Sequence, residues 1–219
     1  MKIFADTANL KELEEALSWG VVDGCTTNPK ILSNEKGSNF EELMKRVLSM
    51  VKGPVSVEVT TNDPDQMVVE AERYAKWSSN VVIKIPMCPD GLKVVGILSK
   101  RGIKTNVTAC MSLNQAVLAA KAGATYVSLF YGRIGDLGYD PYLVVKETVD
   151  VFKARGFKSE IISGSMRSIL DVNKSILAGA HVVTIPFVIL KKMAQNPQTD
   201  ATIAEFLKSW EEFKKAEKK

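Results

Sequence analysis

The chain has 219 residues, of which 46% are hydrophobic and 25% charged, a composition typical of a folded globular protein and not of a disordered one. Its formal net charge of +4 is small, and its basic residues form no dense stripe, so nucleic-acid binding is not favoured. A mildly basic chain is compatible with an enzyme for anionic substrates. One histidine and three widely spaced cysteines exclude a histidine-rich metal cluster, a disulfide framework and a zinc site, so no metal is expected.

The amino terminus has no apolar segment long enough for a signal peptide. No apolar run approaches the ~18 residues that a membrane-spanning helix needs. We therefore expect a cytoplasmic protein without a membrane partner.

Short apolar runs rich in β-branched residues alternate with amphipathic stretches along the whole chain. The strand-like runs are Lys2–Ala5, Val21–Cys25, Val55–Val59, Val81–Ile85, Ile103–Val107, Thr125–Leu129, Glu160–Ile162 and His181–Ile185. The helical stretches are Leu10–Leu17, Phe40–Val51, Pro64–Lys76, Gly91–Lys100, Leu113–Ala122, Pro141–Ala154, Arg167–Leu177 and Phe187–Ala194. This alternation predicts an α/β fold of parallel strands, and eight units in a chain of this length favour a (β/α)8 TIM barrel.

The last segment, Asp200–Lys219, predicts an additional C-terminal helix. Its apolar residues fall on one side of a helix, and they are Ile203, Phe206, Leu207, Trp210 and Phe213. Either the barrel or a neighbouring subunit would have to cover that face. No linker divides the chain, so residues 1–219 are expected to form a single domain.

In a TIM barrel the active site lies at the carboxyl ends of the strands. Seven of the predicted strands carry polar or aromatic residues at or just past that end. These residues are Asp6, Thr26, Asn28, Glu58, Lys84, Asn106, Thr108, Ser128, Phe130 and Ser165. Solubility alone would scatter such groups over helices and loops, so their convergence predicts a catalytic site.

Lys84 is the most informative of these residues because it interrupts the apolar strand Val81–Ile85. Strand alternation points it to the same side as Val82, the inside of the barrel. Burial disfavours the charged ammonium form of lysine. The side chain would then supply the neutral amine that attacks a ketone carbonyl. The alternative is a salt bridge from Lys84 to Glu58 or Asp6 that merely fills the barrel.

Two carboxylates are candidates for moving protons at a sugar hydroxyl. Asp6 follows the first strand, although it could equally cap the helix that begins near Asn9. Glu58 lies between two valines, and its inward orientation is favoured because helices cover the outer face of the strands.

The loop Ser163–Ser168 between the seventh strand and its helix is a candidate phosphate site. Glycine and serine in this loop allow backbone N–H groups to donate hydrogen bonds to an anion, and the Arg167 guanidinium group adds further N–H donors. Arg133, which follows the sixth strand closely, is the candidate for a second arginine that binds the phosphate. The segment Gly132–Asp140 is either a mobile cover or only a turn. The chain has no nucleotide-binding motif, and no cofactor is expected.

Taken together, these segments resemble the transaldolase family, in particular its small single-barrel branch. The resemblance rests on "FADTAN", "GCTTNP", "VSVEV", "VVIKIP", "TNVTA", "YVSLFYGRI" and "SGSMRS", which occur in that order over nearly the whole chain. It implies transfer of a dihydroxyacetone unit from a ketose phosphate to an aldose phosphate in the cytoplasm. Some members of this group are instead fructose-6-phosphate aldolases, which release free dihydroxyacetone.

The resemblance also implies a role for each matching residue. Lys84 would form the Schiff base, Asp6 would be the acid/base, and Glu58 and Thr108 would hold a catalytic water. The substrate-binding residues would be Thr26, Asn28, Asn106, Ser128, Phe130 and Ser165, with Arg133 and Arg167 on the phosphate.

The aldolase members tend to have glutamine in place of Glu58 and tyrosine in place of Phe130, so this chain follows the transferase pattern. Small members tend to form homo-oligomers, pentamers or decamers. A non-catalytic barrel that only binds sugar phosphates is the remaining alternative.

Overall fold

The structure, a computed structural model, describes residues 1–217 and contains a closed barrel of eight parallel strands. The strands are β1 Lys2–Asp6, β2 Gly24–Thr26, β3 Val55–Glu58, β4 Val81–Pro86, β5 Thr105–Cys110, β6 Tyr126–Phe130, β7 Glu160–Gly164 and β8 Val182–Ile185. The helices are α1 Leu10–Ser18, α2 Pro29–Leu32, α3 Phe40–Met50, α4 Pro64–Ala75, α5 Pro89–Lys100, α6 Leu113–Lys121, α7 Tyr131–Asp136, α8 Pro141–Arg155, α9 Ile169–Leu177, α10 Phe187–Met193 and α11 Pro197–Glu217. The predicted (β/α)8 TIM barrel with a C-terminal helix is confirmed.

Each strand pairs with the next along the chain, and β8 pairs with β1 to close the barrel. The register places Glu58 beside Lys84 and Lys84 beside Asn106 at the carboxyl end of the sheet. It also places Asp6 beside Thr26. Because all the strands run in one direction, these side chains meet at a single mouth of the barrel.

The interior of the barrel has an apolar floor below a polar layer. The floor is a buried cluster of Phe4, Val82, Tyr126, Ile162 and Val182. The larger apolar core lies outside, between the strands and the surrounding helices. The floor closes the barrel from below, so the polar layer above it opens only toward the carboxyl ends of the strands.

The second and fifth strands begin two or more residues after their predicted starts, and the other six differ from their predicted bounds by at most two residues. The second was predicted at Val21–Cys25 but spans Gly24–Thr26, since Val21 is 46% exposed and lies in the loop before the strand. The fifth was predicted at Ile103–Val107 but runs from Thr105 to Cys110. Its register against β6 shifts between Val107 and Cys110, which places one extra residue on β5 as a bulge.

The helices also depart from the prediction at several points. The two short helices α2 and α7 were not predicted, and α7 occupies the first part of the segment expected to be a cover or a turn. Helix α9 begins at Ile169, two residues after the predicted start at Arg167, because Ser168 has extended backbone and caps the helix.

The C-terminal helix α11 begins at Pro197, three residues before the predicted start, and none of its residues is buried. The last two predicted positions, 218 and 219, lie outside the described residues. Its apolar side chains are 51–67% exposed, and they are Ile203, Phe206, Leu207, Trp210 and Phe213. Over residues 1–217, no helix is long and apolar enough to cross a membrane.

Candidate active site

A cavity of about 440 Å³ opens at the carboxyl ends of the strands. Most of the residues that the sequence assigns to the site line it: Asp6, Thr26, Asn28, Glu58, Lys84, Thr108, Ser128, Phe130, Arg133 and Ser165. Asn106 and Arg167, the other two, are not among the lining residues. The strands and two short helices therefore bring ten of the twelve predicted positions to one cavity.

Lys84 points into the barrel and is only 4% exposed. Its Nζ donates a hydrogen bond of 3.1 Å to the carbonyl oxygen of Thr27 and lies 3.2 Å from Glu58 Oε2. The salt bridge to Glu58 named by the alternative prediction is thus present. It forms at the wall of the cavity, however, so the amine is buried and next to the space that a substrate would occupy.

Asp6 lies at the end of β1 and accepts a hydrogen bond of 2.7 Å from Thr26 Oγ1. Burial raises the pKa of this carboxyl above its ordinary value, while the positive charge of Lys84 and the Thr26 hydrogen bond both act to lower it. Asp6 does not cap the first helix, because Asn9 accepts the hydrogen bonds from Lys11 and Glu12. Asp6 is therefore free to act toward the cavity.

Thr108 and Ala109 lie in the bulge of β5 and line the cavity. Thr108 Oγ1 is buried and has no hydrogen-bond partner within the described part of the chain. Ala109 has a φ of 60°, a left-handed conformation that costs a residue with a Cβ about 1 kcal/mol or more. The bulge thus leaves a buried hydroxyl group without a partner beside the cavity, at an energetic cost.

Asn106 is fully buried behind the cavity wall. Its Nδ2 donates to Ser56 Oγ at 3.1 Å, and its Oδ1 accepts from Ser128 Oγ at 2.8 Å. The side chain is one strand away from Lys84 in register, but its hydrogen bonds hold Ser56 and Ser128 together. In this structure Asn106 supports the wall, and Ser128 reaches the cavity.

The two arginines have different surroundings. Arg133, on α7, lines the cavity. Arg167 is exposed and forms a bidentate salt bridge with Asp136. Its Nη1 donates to Oδ1 at 2.5 Å, and its Nη2 donates to Oδ2. This pair connects the loop after β7 to the end of α7 and lowers the pKa of the Asp136 carboxyl below its usual range.

The loop after β7 packs closely against the first turn of α7. A Cβ on Gly132 would lie 2.4 Å from the carbonyl oxygen of Ser165 and 2.7 Å from Arg167 Nε, so only glycine fits there. The backbone N–H groups of Arg167 and Ser168 both donate to Asp171 Oδ2. Two of the backbone N–H groups in the loop predicted to bind an anion are therefore used within the protein.

Known proteins match the chain over almost its whole length. A family model described as transaldolase/fructose-6-phosphate aldolase matches residues 3–219. The chain belongs to this family. A probable transaldolase of Methanococcus vannielii is 49% identical over 211 residues, 96% of this chain and 98% of the relative. A probable transaldolase of Caldicellulosiruptor saccharolyticus is 48% identical over 216 residues, which are 98% of this chain and 99% of the relative.

In this member of the transaldolase/fructose-6-phosphate aldolase family, several parts of the site were not found by sequence reasoning. Helix α2 adds Lys30 to the cavity wall, the turn after α2 adds Asn34, and β8 adds Thr184. Thr184 could have been found from strand alternation, because it falls on the inward side of the predicted eighth strand. The carbonyl acceptor of Thr27 and the left-handed φ of Ala109 leave no mark in the sequence.

Proposed function

We propose that this chain is a transaldolase that transfers a dihydroxyacetone unit by way of a Schiff base on Lys84. The donor would be sedoheptulose 7-phosphate or fructose 6-phosphate, and the acceptor glyceraldehyde 3-phosphate or erythrose 4-phosphate. The observation that carries this proposal is the buried Lys84 amine, 3.2 Å from the Glu58 carboxylate, in a cavity that Asp6 also lines. The family match supports the same activity.

The proposed reaction begins when Lys84 passes its ammonium proton to the neighbouring Glu58 carboxylate and the neutral amine attacks the C2 carbonyl of the ketose. The proton returns from Glu58 as water leaves, giving a protonated imine. Asp6 takes the proton from the C4 hydroxyl, the C3–C4 bond breaks, and its electrons form an enamine as the aldose departs. The enamine then attacks the carbonyl carbon of the acceptor aldose, whose oxygen takes the proton back from Asp6. Hydrolysis of the new imine releases the product ketose and restores Lys84.

Glu58 and Thr108 would hold the water that forms and cleaves the imine. Glu58 Oε2 lies beside Lys84 Nζ, and the Thr108 hydroxyl has no other partner among the described residues. Their control of water decides whether the enamine waits for an acceptor or is released as free dihydroxyacetone. With glutamate at 58 and phenylalanine at 130, the chain has the transferase pattern.

Substrate binding would involve Thr26, Asn28, Ser128 and Phe130 at the sugar, with Asn106 acting through Ser128. Arg133 and Ser165 would bind the phosphate from the cavity wall. Arg167, which is paired with Asp136, would contribute positive charge from the edge of the site. In the cell the reaction would belong to the cytoplasmic pentose phosphate pathway.

Incubation with fructose 6-phosphate followed by borohydride tests this mechanism. Reduction should attach a three-carbon adduct to the peptide that contains Lys84, and Lys84→Met should carry no adduct while keeping its fold. An unmodified Lys84 peptide in the wild-type protein would reject the mechanism. A coupled assay with and without an acceptor aldose then separates the two activities, since rapid release of free dihydroxyacetone without acceptor would identify a fructose-6-phosphate aldolase.

We further propose that the chain is one domain and forms a homo-oligomer, a pentamer or a decamer. The support is the apolar face of α11, whose large side chains are all more than half exposed in the described part of the chain. A contiguous face of this kind is typical of a surface that another subunit covers.

A further inference from the structure

Thr184 lies on the β8 wall of the cavity and is 5% exposed. Its Oγ1 is 2.5 Å from Thr26 Oγ1, which in turn is 2.7 Å from Asp6 Oδ1. Three adjacent strands, β8, β1 and β2, thus contribute to one hydrogen-bonded chain. This series of hydrogen bonds ends at the Asp6 carboxyl group, to which the proposed function assigns the proton transfer.

The direction of these hydrogen bonds follows from the chemistry of the Asp6 carboxylate at which they end. An ionised carboxylate can only accept, so the single hydroxyl proton of Thr26 points to Asp6. Thr26 then has only lone pairs to offer, and the short contact with Thr184 requires Thr184 to be the donor. Both hydroxyl groups therefore favour the ionised form of Asp6, and each hydrogen bond strengthens the next.

The Thr184 methyl group lies next to the backbone of the neighbouring strand β7. A Cβ on Gly164 of the neighbouring strand would lie 3.2 Å from Thr184 Cγ2, so the absence of a side chain at 164 makes room for this methyl group. Since threonine is β-branched, the placement of the methyl group beside Gly164 sets the direction of the hydroxyl group. In the structure this direction brings Oγ1 to 2.5 Å from Thr26 Oγ1.

We propose that Thr184 is a positioning residue, which acts through Thr26 to keep the Asp6 carboxyl in one orientation and in its proton-accepting form. Oδ1 is engaged by Thr26, and the Asp6 carboxyl makes no other side-chain hydrogen bond among the described residues. Oδ2 is therefore left for the substrate hydroxyl. This inference rests on the proposed function, because it concerns the residue that moves the proton there.

Two variants separate the hydroxyl group from the shape of the side chain. Thr184→Val keeps the size and branching but loses the donor, and Thr184→Ser keeps the donor. We expect Thr184→Val to lower kcat by about threefold to tenfold, the effect of one lost hydrogen bond in a chain that ends on a charge. The acidic limb of its kcat–pH profile should move to higher pH, and Thr184→Ser should recover most of both losses. Borohydride trapping at Lys84 should persist in all three proteins, since imine formation precedes the Asp6 step.

Carbon-13 NMR titration of the Asp6 carboxyl, assigned with Asp6→Asn, gives a second readout that needs no substrate. Its midpoint should rise by about half a pH unit in Thr184→Val and stay near the wild-type value in Thr184→Ser. An unchanged midpoint in the valine variant, or equal losses of kcat in both variants, would overturn the proposal. Absence of a borohydride adduct in the wild-type protein would refute the proposed function separately, while the titration would still decide whether Thr184 acts on Asp6.

Discussion

Lys84 and Glu58 are two opposite charges held together almost out of contact with water. Their side chains are largely buried, and each would be strongly unfavourable there without the other. The ion pair and the carbonyl oxygen of Thr27 offset the loss of hydration. The same arrangement places a carboxylate beside the amine, where it would direct water at the carbon of the proposed imine.

Replacing Glu58 by glutamine should therefore change how the proposed enzyme treats that water. We expect Glu58→Gln to raise the ratio of released dihydroxyacetone to transferred dihydroxyacetone by about tenfold, about 1.4 kcal/mol between the two barriers. The coupled assay with and without acceptor measures this ratio, and the borohydride adduct at Lys84 confirms that the imine still forms. An unchanged ratio would show that the carboxylate does not control the fate of the enamine.

At the scale of elements, His181 links the amino-terminal ends of three neighbouring strands. His181 directly precedes β8, and its Nδ1 accepts a hydrogen bond of 3.1 Å from the backbone N–H of Ile161 in β7. Its own carbonyl oxygen accepts from the N–H of Lys2 in β1 at 2.8 Å. Burial lowers the pKa of His181 below its ordinary value; Glu160 opposes this shift, and Lys2 and the amino terminus add to it.

The barrel should consequently become less stable as the pH falls from the ordinary histidine value of 6.5 toward the lower native pKa. Over that range the unfolded chain binds a proton that the native imidazole takes up only by losing the Ile161 hydrogen bond. The loss should stay below about 1 kcal/mol, because the ring is partly open to solvent.

Chemical denaturation at pH 7.5 and 5.5 measures the change in the free energy of unfolding. His181→Asn can still accept the hydrogen bond but does not titrate, so its dependence on pH should be weaker. Equal pH dependence in the two proteins would assign the effect to other groups.

At the scale of the whole molecule, the barrel buries its own core and leaves α11 uncovered. The apolar residues of α11 recur at helical spacing on one face, so they form a stripe and not scattered exposed side chains. Burial of such a stripe against another subunit would be favourable by the hydrophobic effect. The barrel is therefore closed around the site, and the stripe on α11 is the surface that the proposed oligomer would cover.

We expect the wild-type protein to be a pentamer or decamer of its 24.0 kDa chain by light scattering. Placing two charges on the stripe, in Leu207→Glu with Trp210→Glu, should shift it to smaller species. The matched control is Lys208→Glu, a charge change outside the stripe, which should keep the wild-type mass. A monomeric wild-type protein would contradict the proposed oligomer.

The sequence alone predicted the barrel, because its strand and helix signals alternate regularly and each signal is local. It also predicted which residues face the mouth, since Lys84 and Glu58 interrupt apolar strands and alternation fixes their side. The family resemblance added the expected roles, and the comparisons confirmed the family.

Only the tertiary structure decided how these residues contact one another, because those contacts join distant parts of the chain. The β5 bulge that frees the Thr108 hydroxyl depends on the register with β6, and the pairing of Arg167 with Asp136 depends on the fold of α7. The same holds for the Thr184–Thr26–Asp6 chain, which needs three strands side by side. Periodicity gives the side of a strand on which a residue lies, but hydrogen bonds across the barrel exist only once it closes.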